Sequence, residues 1–299
     1  MSFKNAFKNL IAHFGIVWAV LLFLLICSAI IVGLSLPFIL PIANAFEKAG
    51  VFDGVGNAFT VLMGDGGWNA FWDGLFDVYE KIMGVFTDGR MVSLAAMFLI
   101  LVMLVAFRFF FGLYEIPLAT VLDGAMSCNA HYGFSGKFIS MLMVSVRFSL
   151  AKMPIMIAID AITLGIIYGL IKLIGMSVIL PFAVILVIVI MRAFRSSLTA
   201  CWAPCVAGGM GVIKGFARSC EICFKRFGSI YSTYIIMWLL IVACGLFVTV
   251  FTLGVGLIVA FPFAMCILAY IGITVYYNKT GKRYYIDGVV FTPPTENVV

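Results

Sequence analysis

Charged side chains are scarce in this sequence. Only 11% of its 299 residues are Asp, Glu, Lys or Arg, whereas 64% are hydrophobic, and the mean hydropathy is +1.19. A soluble domain needs about a quarter of its residues charged, so this composition excludes a soluble globular protein. The net charge of +6 would suggest nucleic acid in a soluble chain, but no nucleic-acid-binding motif is present and the cations lie at the ends of apolar runs. The sequence predicts a polytopic membrane protein without a nucleic-acid partner.

Residues that carry chemistry are scarce as well. The two histidines, His13 and His131, are far apart in sequence, and neither has a Cys or Ser partner in a catalytic pattern. No set of acid, base and nucleophile is recognisable. We therefore predict neither an enzyme nor a bound cofactor.

The eight cysteines lie in predicted spans or on the side predicted to face the cytoplasm, which favours free thiols. Four of them have a short spacing that zinc binding would allow. Their surroundings are apolar, however, and cysteine often serves there as a small hydrophobic side chain. We predict no metal, with zinc as the alternative, at Cys201, Cys205, Cys220 and Cys223.

Six apolar runs reach the roughly 20 residues that the hydrocarbon core of a bilayer requires. The predicted spans cover about 14–36, 91–110, 153–173, 177–195, 230–249 and 257–276. They group into three hairpins, each preceded by a surface helix that begins near residue 2, 137 or 212. The middle surface helix is expected over 138–152. The predicted fold is all-α, with six transmembrane helices arranged as three units of surface helix plus hairpin.

The distribution of cations predicts the orientation. With both termini in the cytoplasm, fifteen of the nineteen Lys and Arg residues lie on the inner side. Such an excess is typical of cytoplasmic loops. We therefore predict a cytoplasmic N-terminus and a cytoplasmic polar tail over 278–299.

The outer segment over 44–90 holds seven of the thirteen acids of the chain. Aromatic and aliphatic residues recur within it at helical spacing, and acids occupy the remaining angles. Trp and Tyr rings prefer the level of the lipid headgroups. We predict an interfacial helix with an outer contact surface that includes Trp68, Trp72 and Tyr79.

The third surface helix is basic. Its sequence puts Lys214, Arg218 and Lys225 away from the apolar residues, and Arg226 follows. Each such cation should attract anionic lipid of the inner leaflet by about 1 kcal/mol. We predict lipid-headgroup contacts at these four residues. The apolar face is predicted to consist of Ile213, Phe216, Cys220, Cys223, Phe224 and Phe227.

Asp160 is the most distinctive polar residue within a predicted span. It lies about seven residues into the third span, which places it roughly 10 Å below the inner surface. A carboxylate at that depth is costly unless it is paired or hydrated. One interpretation is a proton or cation site that includes Thr163 and Tyr168. The other, which we favour, is an acid that ties helices together.

Short motifs near the end of the chain carry a resemblance to a known group. They are WAP at 202–204, TLGVGL at 252–257, FP at 261–262 and YY at 276–277, together with Ser219 and Lys225. The region 196–277 resembles bacterial six-helix integral membrane proteins of unknown function that are similar to the membrane domain of some glycerophosphodiester phosphodiesterases. The resemblance implies six helices in a bacterial cytoplasmic membrane and no agreed activity. The hydrolase domain has no counterpart here, since the polar segments are too short and lack a metal-binding set.

Two functional hypotheses follow. The first is a non-catalytic integral membrane protein that organises or accompanies a partner, which is another membrane protein or a second copy of the chain. The second is a transporter or lipid-handling protein with a polar site at Asp160.

Overall fold

The computed structural model describes residues 2–64, 67–128, 130, 132–174, 180–286 and 288–294. Helix dominates, and six helical segments are long and apolar enough to cross a membrane. This confirms the predicted all-α polytopic membrane protein. The six segments are Gly15–Lys48, Arg90–Cys128, Phe134–Ile174, Leu180–Ala207, Phe227–Thr252 and Leu257–Thr280.

The elements follow one another with short connections. The helices are α1 (Ser2–Ala12), α2 (Gly15–Lys48), α3 (Val51–Met63), α4 (Gly67–Asp88), α5 (Arg90–Val102), α6 (Arg108–Gly112), α7 (Glu115–Cys128), α8 (Phe134–Ile174), α9 (Leu180–Thr199), α10 (Trp202–Ala207), α11 (Val212–Lys225), α12 (Phe227–Thr252) and α13 (Leu257–Thr280). A π-helical turn, Met103–Phe107, joins α5 to α6. Strands β1 (Tyr284–Ile286) and β2 (Val289–Phe291) form an antiparallel hairpin.

The chain forms two compact units. The larger unit comprises Met1–Ile26 and Phe109–Val299, and the smaller unit comprises Cys27–Arg108. Their boundaries fall inside helical segments, because α2 and the segment that begins with α5 each contribute to both units.

In the smaller unit, the outer segment predicted from the sequence folds as a pair of helices, α3 and α4. Two glycines allow their close contact. A Cβ at Gly54 would lie 2.8 Å from Cγ2 of Val78, and one at Gly74 would lie 3.2 Å from Cβ of Ala58. Side chains larger than hydrogen at these positions would push the helices apart.

The core of the larger unit is built around Trp202, which is 1% exposed. Its ring lies 4.9 Å from that of Phe148 and 4.6 Å from that of Phe216, measured between centroids. Its indole N–H donates to the carbonyl oxygen of Val212 at 2.8 Å. Buried Trp side chains are best accommodated where the N–H finds such a partner. One residue thus joins α8, α10 and α11.

Several helix boundaries differ from those predicted. Helix α8 runs without interruption from Phe134 to Ile174, although a separate surface helix was expected over 138–152 and Pro154 lies inside it. Ser145, Phe148 and Ser149 are buried, whereas Ile139, Met143 and Leu150 are exposed, so one side of this stretch packs against the protein and the other side is open. Helix α2 likewise continues past Pro37 and Pro41 to Lys48, whereas the first span was predicted to end at about residue 36. Membrane helices tolerate proline because neighbouring groups satisfy the freed carbonyls.

Two segments contain more regular structure than the short helix and loop predicted for 111–137 and the polar tail predicted for 278–299. The connection over 111–137 contains α7, most of which is buried. The predicted polar tail over 278–299 continues α13 to Thr280 and then forms the β1–β2 hairpin. Local sequence does not reveal the extent of these elements, because both pack against residues far away in sequence.

Candidate functional site

Asp160 lies on α8 and forms an ion pair with Arg195 of α9. The distance from Nη1 of Arg195 to Oδ1 of Asp160 is 3.4 Å, and the two side chains are 21% and 22% exposed. From the sequence, Arg195 was predicted only to lie on the cytoplasmic side, as one of the fifteen cations there. Because 35 residues separate the pair, only the α8–α9 hairpin reveals that they face each other.

The other two residues of the predicted Asp160 site do not join this pair. The hydroxyl of Thr163 donates to the carbonyl oxygen of Ile159 within the same helix at 2.8 Å. Tyr168 is 63% exposed and lies about 12 Å further along the helix axis than Asp160. The structure therefore does not bring the three residues together as a site.

All four acids that the structure describes in the larger unit are engaged by other side chains. Three of the pairs join different helices, and the fourth lies within α11. The hydroxyl of Tyr277 donates to Asp123 at 2.8 Å, which ties α13 to α7. The complete set is Glu115 with Lys152, Asp123 with Tyr277, Asp160 with Arg195, and Glu221 with Arg218 and Lys225.

Helix α11 has two apolar faces instead of the single one predicted. One is buried against the protein and consists of Gly215, Ser219, Ile222 and Cys223. The other is open, since Ile213 is 82% exposed and Phe224 is 65% exposed. The buried face was missed because its closest contact depends on a glycine. A Cβ at Gly215 would lie 2.9 Å from Cγ2 of Val206.

The predicted lipid-binding cations follow the open apolar face around α11. Lys214, Arg218, Glu221 and Lys225 form a stripe one residue further along the chain. Glu221 accepts from Arg218 at 2.6 Å and from Lys225 at 3.0 Å. The bond from Arg218, and then that from Lys225, lowers the pKa of the Glu221 carboxyl. A helix with adjacent apolar and basic faces suits the plane of a membrane interface.

Like α11, helix α4 has a buried side, an open apolar stripe and a charged stripe, but the charges of its stripe are negative. Trp72, Phe76 and Tyr79 are 45%, 65% and 58% exposed and share one stripe. Asp73, Asp77 and Glu80 occupy the next stripe. Both predicted outer contacts whose side chains are described, Trp72 and Tyr79, thus lie on the open face. The side chain of Trp68 lies outside the described residues.

The four cysteines considered for zinc are thiols in apolar surroundings. Cys201, Cys205 and Cys223 are buried and Cys220 is half-buried. Burial raises the pKa of Cys223 to about 11 and also raises the pKa of Cys220. Metal ligation requires the thiolate. Within the described residues, no three His, Cys, Asp or Glu side chains are grouped as a metal ion would need.

A buried polar network that was not predicted from the sequence joins the two ends of the chain. The amide of Asn5 donates to the hydroxyl of Tyr284 at 2.9 Å, and that hydroxyl donates to Oδ1 of Asn278 at 3.1 Å. The amide of Asn9 donates to the carbonyl oxygen of Tyr285 at 3.2 Å. These bonds tie α1 to α13 and β1. The four-residue spacing of Asn5 and Asn9 on an otherwise apolar face was the available signal.

Two buried hydroxyl groups on α13 have no hydrogen-bond partner among the described residues. They belong to Tyr270 and Thr274, which are both 0% exposed and one helical turn apart. Unsatisfied polar groups inside a protein are uncommon and call for a ligand, a water or a structural reason.

Comparison with protein-family models, curated proteins and solved structures finds no match for this chain.

Proposed function

We propose that this chain is a non-catalytic integral membrane protein that organises or accompanies a partner protein. The observation that carries the proposal is the engagement of all four described acids of the larger unit by neighbouring side chains. A general acid or base must reach the group with which it exchanges a proton. Carboxylates that bridge helices serve instead to hold those helices in register.

The open faces of α4 and α11 supply the contact surfaces. The aromatic and acidic stripes of α4 suit a partner or the headgroup region, because Trp and Tyr combine an apolar ring with a polar edge. The basic stripe of α11 suits anionic lipid of the inner leaflet. A second copy of the chain is one form that the partner would take.

The proposed location is a bacterial cytoplasmic membrane with both termini in the cytoplasm. Support comes from the excess of Lys and Arg on one side of the predicted topology. The resemblance of region 196–277 to bacterial six-helix membrane proteins supports the same location.

A second candidate function is transport or lipid handling along a polar path past Asp160. Two observations favour it. The Asp160–Arg195 pair is not sealed, since about a fifth of each side chain is exposed, and Tyr270 and Thr274 have buried hydroxyls without partners within the described chain. Intramembrane ionisable residues often mark such paths.

Native mass spectrometry of the protein, gently extracted from its own membrane, tests the two functions against each other. The wild type is measured beside Asp160→Asn. A stoichiometric protein partner retained by both forms, with no small ligand, supports the organising function. A small molecule or lipid that is present in the wild type and absent from the variant would instead establish the second candidate.

A surface variant locates the partner contact. Phe76→Ser combined with Tyr79→Ser changes the open stripe of α4 without touching its buried face. We expect this variant to lose the partner that Asp160→Asn retains. Retention of the partner by both variants would exclude the α4 stripe as the contact.

A further inference from the structure

We propose that the larger unit binds an internal water molecule at the side chains of Tyr270 and Thr274 in α13. Both residues are 0% exposed. The hydroxyl group of each is buried and has no hydrogen-bond partner among the residues that the structure describes. A buried hydroxyl without a partner is costly, because burial removes its contact with bulk water. Two such groups one turn apart on the same helix call for a ligand that both can reach.

The hydroxyl of Thr274 behaves differently from those of the other helical threonines. Every other threonine within a helix of the described chain donates to the carbonyl oxygen four residues earlier, at distances between 2.7 and 3.0 Å. This local bond satisfies the hydroxyl without any tertiary contact. Thr274 does not form it. Its hydroxyl is therefore directed at something other than the backbone of its own helix.

Polar residues continue along the same side of α13 towards the end of the helix. Asn278 follows Thr274 by four residues, so that Tyr270, Thr274 and Asn278 lie in one row. The hydroxyl of Tyr284 donates to Asn278 at 3.1 Å and accepts from Asn5 at 2.9 Å. Groups from α1 and β1 thus complete the network at the end of the row. Within the described chain, no group does so at the two earlier positions, and a water would extend the network there.

Water matches the chemistry of this position. A hydroxyl is neutral and both donates and accepts, so the ligand should do the same. The position is enclosed, because every residue from Tyr270 to Lys279 is buried, and this favours the smallest such ligand. The backbone carbonyl of Tyr270, one turn before Thr274, has a second lone pair that can accept a third bond. Buried waters typically form about three hydrogen bonds to groups that lack other partners.

The water site lies within the membrane-spanning part of the protein. Tyr270 is about 15 Å from the end of α13 at Thr280. A resident water accounts for the two hydroxyls without any transported solute and without a partner protein. The inference is therefore separate from both proposed functions.

The sign of a stability change tests the proposal. Tyr270→Phe and Thr274→Val each remove one hydroxyl and keep the shape of the side chain. The full-length variants are unfolded with sodium dodecyl sulfate in mixed micelles. If water is bound, each variant loses a hydrogen bond, and its folding equilibrium constant should fall about threefold to tenfold. If the hydroxyls are unpaired, their removal relieves a desolvation penalty, and the constant should rise about fivefold or more.

Matched variants remove hydroxyls that do not depend on this water. Thr120→Val removes one that donates to the backbone of its own helix, and Tyr168→Phe removes one from a residue that is 63% exposed. Each should change the constant by no more than about twofold. The double variant at Tyr270 and Thr274 should lose less than the product of the single losses, because one water serves both hydroxyls. An unchanged or raised constant in either single variant, or losses that multiply in the double variant, would overturn the shared water.

If a variant does not fold, radiolytic labelling of the wild type provides the decision. X-ray pulses convert water into hydroxyl radicals, which add oxygen to a side chain beside the water, and mass spectrometry locates the product. The control is Tyr284, which is 1% exposed and whose hydroxyl is paired with two side chains of the protein. We expect Tyr270 to be labelled several times faster than Tyr284. An equal or slower rate at Tyr270 would refute the bound water.

Discussion

Breaking the Asp160–Arg195 pair should destabilise the larger unit far more than breaking an exposed pair. At the observed separation of 3.4 Å and an effective dielectric constant near 20, the gross attraction is about 5 kcal/mol. Desolvation offsets much of that, so the coupling energy between the two side chains should be about 1 to 2 kcal/mol. Asp160→Asn alone should cost about 3 kcal/mol at most, because it leaves a largely desolvated arginine without its carboxylate.

A double-mutant cycle measures this coupling. Asp160→Asn, Arg195→Gln and the double variant are unfolded with sodium dodecyl sulfate in mixed micelles, and tryptophan fluorescence is followed. The matched control is Asp77→Asn, which breaks a pair with Lys81 whose side chains are 60% and 38% exposed. That variant should lose no more than about 0.5 kcal/mol.

The double variant should be more stable than the sum of the single losses predicts. A coupling energy within 0.3 kcal/mol of zero, on the order of the experimental error of such cycles, would show that the pair does not tie α8 to α9. Asp160 would then not be a residue that holds these two helices together.

Two further predictions concern packing and thiol chemistry in the larger unit. Gly112→Ala should destabilise the protein by about 1 to 3 kcal/mol, because the new Cβ would lie 2.5 Å from Oγ of Ser149 and overpacking is costly. A Cβ at Gly165 would meet nothing within 4 Å. Gly165→Ala should therefore be neutral or stabilise the protein by up to about 1 kcal/mol. The same unfolding assay checks both, and equal effects would contradict the close contact. Cys223, with a pKa of about 11, should react with a water-soluble maleimide much more slowly than the exposed Cys128 at pH 7.5, and its labelling rate should rise as the pH approaches that pKa. Similar rates at pH 7.5 in the folded protein would refute its burial.

The sequence was sufficient to predict the all-α class and the six membrane-crossing segments. Bilayer thickness sets the length of a span, and the absence of water forces the backbone to form helical hydrogen bonds. An apolar run of sufficient length therefore identifies a membrane-spanning helix without knowledge of its neighbours. The open stripe of α4 also followed from periodicity, because Trp72 and Tyr79 recur with acids at the neighbouring angles.

Helix ends and helix faces were decided by tertiary contacts. The stretch over 138–152 was predicted to be a separate surface helix, yet it is continuous with the rest of α8, and Ser145, Phe148 and Ser149 on one side of it are buried. A single apolar face was predicted for α11, but the structure has a buried face and an open one, because Gly215 allows close contact with Val206. Local patterns report the period of a helix and not the neighbour that covers each side.

The partners of polar side chains were the feature that could least be predicted from the sequence. Asp160 was visible as a costly residue in a span, but its pairing with Arg195 depends on how α8 and α9 face each other. The bond from Asn5 to Tyr284 joins residues 279 positions apart. Local sequence determined which segments enter the membrane, because the hydrophobic effect acts on each segment by itself. Only the tertiary structure decided which charges and hydroxyls meet, because their energy depends on distances that the fold creates.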